Sequence, residues 1–309
     1  MEPRGATEIQ HELLEKHVSK DLLDKVQICT SIPGKVPLDP KKINILWQKN
    51  SYDQGNLQEF FLNKDRFREY DWYVFNSHWN YEKFRYFFRV PEDKCIVIKN
   101  GVDNFPQRKI YKKGDPIKII HHCTPWRGLN VLLLAMQMLR NKDITLDVYS
   151  SCQVYGSEFA EGHKKAFEPL FEQASSLPNV NYIGYKPHEY IKEHISQYDL
   201  FVYPSIFEET FCVSALEALA AGIHVITTNF GALPETCSEW PVYVNYTKNH
   251  ELLAKSFAHA IDASKVYLHE EDMQKYLDEQ QKFYKKFYSW DRKGSEWTNF
   301  LTGAVHAKR

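Results

Sequence analysis

The chain has 309 residues, and its 39 Lys plus Arg against 40 Asp plus Glu give a formal net charge of −1. A near-zero charge provides no broad field for nucleic acid or an anionic membrane, so polyanion-binding proteins are not favoured. The length exceeds what one hydrophobic core usually serves, which predicts an α/β protein of two domains.

Six cysteines are dispersed along the chain: Cys29, Cys95, Cys123, Cys152, Cys212 and Cys237. They form no C-x-x-C pair and have no histidine at zinc spacing, so we expect neither a metal site nor a disulfide framework. Apolar runs around several of them indicate buried thiols in a reducing, cytoplasmic setting. The polar amino terminus lacks a signal-peptide core, and no stretch approaches the roughly 18 apolar residues of a membrane span. Peripheral membrane association stays open.

The first third of the chain predicts one α/β unit. Helical spacing over residues 5–18 is followed by the β-like runs VQICTSI, INILWQ, WYVFNS and CIVIKN between residues 26 and 100. The polar stretch NGVDNFPQRKIYKKG (100–114) then has the composition of a domain connection. We therefore assign residues 1–110 to the first domain.

From residue 117 onward, apolar strand-like runs alternate regularly with helical segments. Helices are predicted at 129–140, 160–175, 187–197, 213–221, 232–238 and 249–265. Strand, helix and strand joined by short links predict a doubly wound parallel sheet, because parallel neighbours require crossovers. We assign residues 111–285 to this second domain, and residues 286–309 to a helix that packs across the boundary.

The join from strand to helix over residues 199–217 is the most informative chemical segment. In a doubly wound sheet, ligands lie at the carboxyl ends of strands, where helix amino termini attract phosphate. Here the strand ends at Pro204–Ser205, the loop contains Glu208 and Glu209, and the following helix carries Glu217. A carboxylate on the helix can accept hydrogen bonds from both ribose hydroxyls while a loop carboxylate approaches a sugar. Considered alone, these glutamates are better explained as solvated charges of a loop and of a helix surface.

The whole string, a strand ending P-S followed by E-T-F, L-E-A, A-G and G-x-L-P-E, resembles the retaining glycosyltransferases of family 4 (glycosyl transferases group 1). The matching positions are Glu209, Phe211, Leu216, Glu217, Ala218, Gly222, Gly231, Pro234 and Glu235. Thr210 and Cys212 occupy the places of two family glycines. The resemblance implies that Glu209 lies beside the donor sugar, that Glu217 holds the ribose, and that the backbone over 210–213 binds sugar hydroxyls or phosphate.

A second loop, HHCTPWRGL (121–129), precedes an amphipathic helix. In the family this loop supplies an Arg and a Lys-Gly to the leaving phosphates, and Arg127–Gly128 stands at the Lys-Gly place. His122 occupies the place of the first Arg, and Thr124 is a candidate phosphate donor. The alternative for Arg127 is an exposed arginine at a helix end.

Two positions upstream bear on the reaction. Gly5, in GATEIQ, resembles the family's glycine loop near the donor phosphates, although only four residues precede it, which predicts an abbreviated first domain. Lys49 stands where the family often has a His near the sugar and acceptor; it could neutralise phosphate or donate to a hydroxyl. A surface lysine after an edge strand is the alternative.

The resemblance implies the GT-B architecture, with two Rossmann-like domains facing a cleft and a carboxyl-terminal helix that crosses back to the first domain. It also implies a hexosyltransferase, independent of metal and without a cofactor, that uses a nucleoside diphosphate sugar and a glycan, lipid or other hydroxyl acceptor. The expected catalytic residues are Glu209, Arg127 and Lys49. The expected donor-binding residues are Gly5, Thr124, Arg127, Gly128, Glu209, Thr210, Phe211, Cys212, Val213, Leu216 and Glu217. A non-catalytic binding protein and a GT-B sugar-nucleotide epimerase remain open.

Overall fold

A computed structural model describes residues 4–307, which form two compact units. The amino-terminal unit contains residues 6–103, 209–211 and 287–307, and the carboxyl-terminal unit contains residues 4–5, 104–208 and 212–286. The sequence analysis divides the chain after residues 110 and 285, whereas the main changes of unit lie at 103/104 and 286/287. It does not predict that residues 4–5 belong to the carboxyl-terminal unit. Nor does it predict that residues 209–211 belong to the amino-terminal unit.

Within residues 4–307, all the pairings between strands are parallel. The strands are β1 (Val26–Thr30), β2 (Ile43–Gln48), β3 (Trp72–Phe75), β4 (Cys95–Val97), β5 (Ile117–His121), β6 (Ile144–Val148), β7 (Val180–Tyr182), β8 (Leu200–Tyr203), β9 (His224–Thr228) and β10 (Val242–Val244). The helices are α1 (Ala6–His17), α2 (Lys20–Leu23), α3 (Gly55–Leu62), α4 (His78–Phe88), α5 (Leu129–Met138), α6 (Ser157–Ser176), α7 (His188–His194), α8 (Val213–Ala220), α9 (Leu233–Cys237), α10 (His250–Tyr267), α11 (Glu271–Phe287) and α12 (Trp290–Ala307).

The amino-terminal unit is built on a sheet of order β1-β2-β3-β4. One core packs α1 and α12 onto this sheet, and in it the rings of Trp47 and Trp297 meet edge to face with centroids 4.8 Å apart. A second core is formed mainly by aromatic side chains of α3, α4 and β3. Trp290 and Trp297 of α12 are buried in the same core as residues of α1 and of this sheet, so the return of the carboxyl-terminal helix to the first domain is confirmed. Its apolar face supplies part of this unit's core.

The carboxyl-terminal unit contains a sheet of order β10-β9-β8-β5-β6-β7. The chain builds outward from β5 through β6 to β7, and then returns to the other side of β5 to form β8, β9 and β10. The doubly wound parallel sheet expected from the sequence is therefore confirmed. The order reverses between the neighbouring strands β5 and β8, and ligands of open α/β sheets bind at the carboxyl ends of strands at such a reversal.

None of the helices within residues 4–307 combines the length and the apolar character that a bilayer crossing requires.

Candidate functional site

The loops that follow β5 and β8 approach each other closely at the reversal of the carboxyl-terminal sheet. Gly128 has a φ of +108°, and a Cβ added to it would lie 2.1 Å from the carbonyl oxygen of Pro204. Only glycine fits this approach, because a side chain there would collide with backbone. Gly128 was predicted to bind the donor, and the structure supplies a packing reason for it: it brings the start of α5 against the end of β8.

Glu217 lies at the centre of a buried polar cluster beside this junction. Its Oε1 is 2.5 Å from Nε2 of His188, and its Oε2 is 3.8 Å from Nδ1 of His122. The negative charge of Glu217 raises the pKa of His188, which favours the protonated ring. Burial lowers the pKa of His122 to about 4, so this ring is neutral near neutral pH. The carboxylate is thus oriented through Oε1 by its contact with His188, while Oε2 lies farther from the His122 ring.

The segment containing Gly5 belongs to this unit through Arg4. The Arg4 amide donates to the carbonyl of Val154 at 3.0 Å, and the Arg4 guanidinium lies 2.7 Å from the carboxylate of Glu189. Glu189 directly follows His188 at the start of α7. Gly5 is buried, and its role at the donor phosphates stays a prediction.

In the loop that follows β5, two side-chain atoms are buried without a hydrogen-bond partner within residues 4–307, namely Nε2 of His122 and Oγ1 of Thr124. Buried polar atoms are normally satisfied, so such atoms indicate where water or a polar ligand binds. Close by in the chain, the guanidinium of Arg127 lies over the ring of Phe207, 4.4 Å from its centroid. Arg127 is therefore positioned by the loop after β8 rather than being a solvated helix-end residue.

The loop residues 209–211 belong to the amino-terminal unit. Thr210 is fixed there by three hydrogen bonds: its Oγ1 donates to the Lys49 carbonyl at 2.8 Å and accepts from Asn76 at 3.3 Å, and its carbonyl accepts from Ser77 Oγ at 2.6 Å. Glu209 beside it is buried, with 3% of its surface exposed. The Thr210 hydroxyl thus makes hydrogen bonds that a glycine at this position could not make.

The remaining predicted donor contacts lie at the start of α8. Cys212 has a φ of +73°, a left-handed conformation that costs a residue with a Cβ about 1–2 kcal/mol. The backbone therefore keeps the shape that a glycine would give at this place. Phe211 and Leu216 are interior side chains, whereas Val213, the first residue of α8, is partly exposed. Phe211 and Leu216 could therefore contact a ligand only through their backbone.

The alternative interpretation of Lys49, a surface lysine after an edge strand, is wrong. Lys49 follows β2, which lies inside the sheet. Its Nζ is buried without a hydrogen-bond partner within the described chain and lies 3.5 Å from the centroid of the Trp47 ring. Burial lowers the pKa of this amine well below its ordinary value, and the carboxylate of Glu8 acts in the opposite direction.

The sequence analysis missed His188, Glu189 and Arg4 as parts of the site. His188 is separated from Glu217 by a sequence distance of 29 residues, and a single histidine before a helix carries no distinguishing signal. Its role becomes visible only when β7 and β8 bring α7 and α8 together.

A model of the family described as glycosyl transferases group 1 matches residues 103–281. The chain belongs to this family. The match covers nearly all of the carboxyl-terminal unit, including Glu217 and the two loops at the sheet reversal. The unit that matches the family is therefore the one that contains the buried polar cluster.

Curated relatives match a shorter part of the chain. Over 154 residues it is 27% identical to the putative colanic acid biosynthesis glycosyltransferase WcaL of Escherichia coli K12. The aligned region covers 47% of this chain and 36% of that protein. An uncharacterized glycosyltransferase of Methanocaldococcus jannaschii is 28% identical over 165 residues, with coverages of 48% and 40%. The matched part thus spans well under half the length of these relatives.

Solved structures share the fold over almost the whole chain. A glycosyltransferase from Rickettsia africae superposes with a TM-score of 0.65 at 16% identity, covering 99% of this chain and 83% of the other. The pneumococcal O-GlcNAc transferase GtfA superposes with a TM-score of 0.67 at 12% identity, covering 96% and 60%. At these identities the likeness concerns the fold alone, and it confirms the expected GT-B class.

Proposed function

We propose that this protein is a glycosyltransferase that moves a hexose from a nucleoside diphosphate sugar to an acceptor hydroxyl, with retention at the anomeric carbon. The observation that carries the proposal is the buried Glu217, oriented by His188 at the reversal of a doubly wound sheet in the part of the chain that matches the family. Retention and the hexose come from the family 4 resemblance.

In this proposal the nucleotide binds the carboxyl-terminal unit. Glu217 accepts hydrogen bonds from the ribose hydroxyls through Oε2, while His188 holds Oε1. The first amides of α5, with the hydroxyl of Thr124 and the guanidinium of Arg127, bind the diphosphate, because a helix amino terminus and a planar cation both suit phosphate oxygens. The unpartnered Oγ1 of Thr124 would then gain its missing partner.

The reaction breaks the bond between the anomeric carbon and the diphosphate oxygen and forms a bond from that carbon to the acceptor oxygen on the same face. The acceptor proton passes to the departing phosphate oxygen. Arg127 and the α5 amino terminus stabilise the charge that develops on the diphosphate. Glu209 positions the donor sugar, and the scheme assigns no step to a metal ion.

The test is incubation of the protein with UDP-, GDP- and ADP-sugars, with and without acceptor hydroxyls, while the released nucleotide and the sugar product are followed. We expect one donor to release nucleotide in an acceptor-dependent manner. Glu217→Gln should weaken donor binding about 10- to 100-fold, since a charged hydrogen bond is lost. Glu251→Gln is the matched control, because Glu251 is an exposed residue of α10 in the same unit.

The two alternatives give different products in the same assay. Donor binding without turnover would favour a non-catalytic binding protein. A changed sugar still attached to its nucleotide would favour an epimerase. Either result would refute the transferase proposal.

A further inference from the structure

The carboxyl ends of the strands in the amino-terminal unit carry buried polar atoms that lack a hydrogen-bond partner among the described residues. Ser31 Oγ follows β1, Lys49 Nζ follows β2 and Asn100 Oδ1 follows β4. Because all four strands are parallel, these ends lie along one edge of the sheet. Native proteins leave few buried polar atoms unsatisfied, so their concentration at one sheet edge indicates a site for a polar ligand.

Lys49 is the member of this set that can carry a positive charge, and its surroundings fix where it lies. Its Nζ rests over the ring of Trp47, and Trp47 is itself held by Trp297. The Lys49 carbonyl accepts the hydrogen bond of Thr210 Oγ1, so the backbone is held as well. The ring covers one side of the amine but accepts no conventional hydrogen bond from it. The N–H donors of Lys49 therefore have no hydrogen-bond partner among the described residues.

Two titratable residues of α1, His11 and Glu8, interact electrostatically with the same amine. His11 is close enough that the charge of Lys49 helps to lower the pKa of its imidazole, although burial is the larger cause. His11 Nδ1 is buried without a hydrogen-bond partner among the described residues, while its Nε2 lies 3.5 Å from Glu15 Oε1. Glu8 is the second of these residues; its carboxylate favours the protonated amine, and it is exposed at the surface.

We propose that Lys49 and His11 form a subsite for an acidic group on one of the substrates, either the carboxylate of a uronic acid or a phosphate. A buried amine without a hydrogen-bond partner is costly, and an anion would supply both the missing acceptor and the missing charge. A neutral hydroxyl would supply only the acceptor. The inference rests on the proposed transferase function and adds to it the class of substrate.

The experiment compares substrates that differ only in the acidic group, using calorimetry for binding and nucleotide release for turnover. The donor arm pairs UDP-glucuronate with UDP-glucose, or the same sugars on whichever nucleotide the protein prefers. The acceptor arms compare glucuronate and glucose 6-phosphate with glucose. Wild type, Lys49→Met, Lys49→Arg and Lys25→Met are measured; Lys25 is an exposed lysine of the same unit and serves as the control.

We expect wild type and K25M to favour the acidic member of at least one arm by about 10- to 100-fold, the usual gain from a charged hydrogen bond. K49M should weaken the acidic member far more than the neutral member, so that the preference is lost, and K49R should keep part of it. The arm that shows the preference identifies the source of the acidic group. The preference should also decline as pH rises and the amine loses its proton, and this measurement needs no variant.

Equal binding of both members in every arm, or an equal loss for both in K49M when its melting curve matches wild type, would overturn the subsite. If K49M does not fold, a preference independent of pH would overturn it. The subsite and the transferase function fail separately. Nucleotide release without acidic preference refutes only the subsite, whereas acidic preference without turnover of any donor refutes only the transferase function.

Discussion

Substituting Gly128 tests whether the two loops at the sheet reversal depend on a close backbone approach. In Gly128→Ala the new Cβ would lie 2.1 Å from the Pro204 carbonyl oxygen, at a φ of +108°. The left-handed conformation costs about 1–3 kcal/mol, and forcing the backbones apart costs about 1–3 kcal/mol more. The expected loss in free energy of unfolding is therefore about 2–6 kcal/mol. For a protein of this size each kcal/mol lowers Tm by about 2–4 °C.

Thermal and urea unfolding of G128A measure this loss directly. Gly162→Ala provides the matched control, because Gly162 lies within α6 of the same unit and an added Cβ meets nothing within 4 Å. That variant should be unchanged or stabilised by up to about 1 kcal/mol, since alanine favours helix. A G128A protein that melts together with wild type would show that the loops relax freely, and would refute the argument that Gly128 sets their spacing.

Three further predictions concern stability near the site. Cys212→Gly should raise the free energy of unfolding by up to about 1 kcal/mol, because it relieves a φ of +73°; urea denaturation that shows a clear loss would contradict this. The raised pKa of His188 stabilises the fold fully below its unfolded value of 6.5, and this stabilisation is lost as pH rises through the native pKa. The deficit of His188→Gln against wild type should therefore shrink from about pH 6 to about pH 9, and a deficit that is constant with pH would exclude the charge pairing. His122, with a pKa lowered to about 4, binds its proton less readily when folded. Wild type should lose stability between about pH 6.5 and 4, and His122→Asn should lose less in that range; equal losses would refute the assignment.

The architecture could be predicted from the sequence because its signals are local. In the carboxyl-terminal unit, short β-branched runs alternate with helical periods, and only a crossover connects parallel neighbours over such lengths. The observed helix α8 (Val213–Ala220) falls within one residue of the predicted bounds. Glu217 could be proposed for the same reason, since its place depends on motif residues within a single strand, loop and helix.

The parts that the sequence did not predict depend on contacts between distant residues. Thr210 is fixed by Asn76 and Lys49, which lie 134 and 161 residues away in the chain. The burial of Lys49 depends on Trp47 lying inside a sheet and on α12 returning from the other end of the chain. The close backbone approach at Gly128 depends on Pro204, which is distant from it in the sequence. None of these pairings leaves a periodic or local signal.

The most direct test of the central claim is donor binding and turnover by wild type, Glu217→Gln and the control Glu251→Gln. We predict that wild type and E251Q bind one nucleoside diphosphate sugar and transfer its sugar to an acceptor, while E217Q binds that donor about 10- to 100-fold more weakly. Equal donor affinity in all three proteins would contradict the assignment of Glu217 to the ribose. The absence of acceptor-dependent transfer from every donor would contradict the transferase function itself.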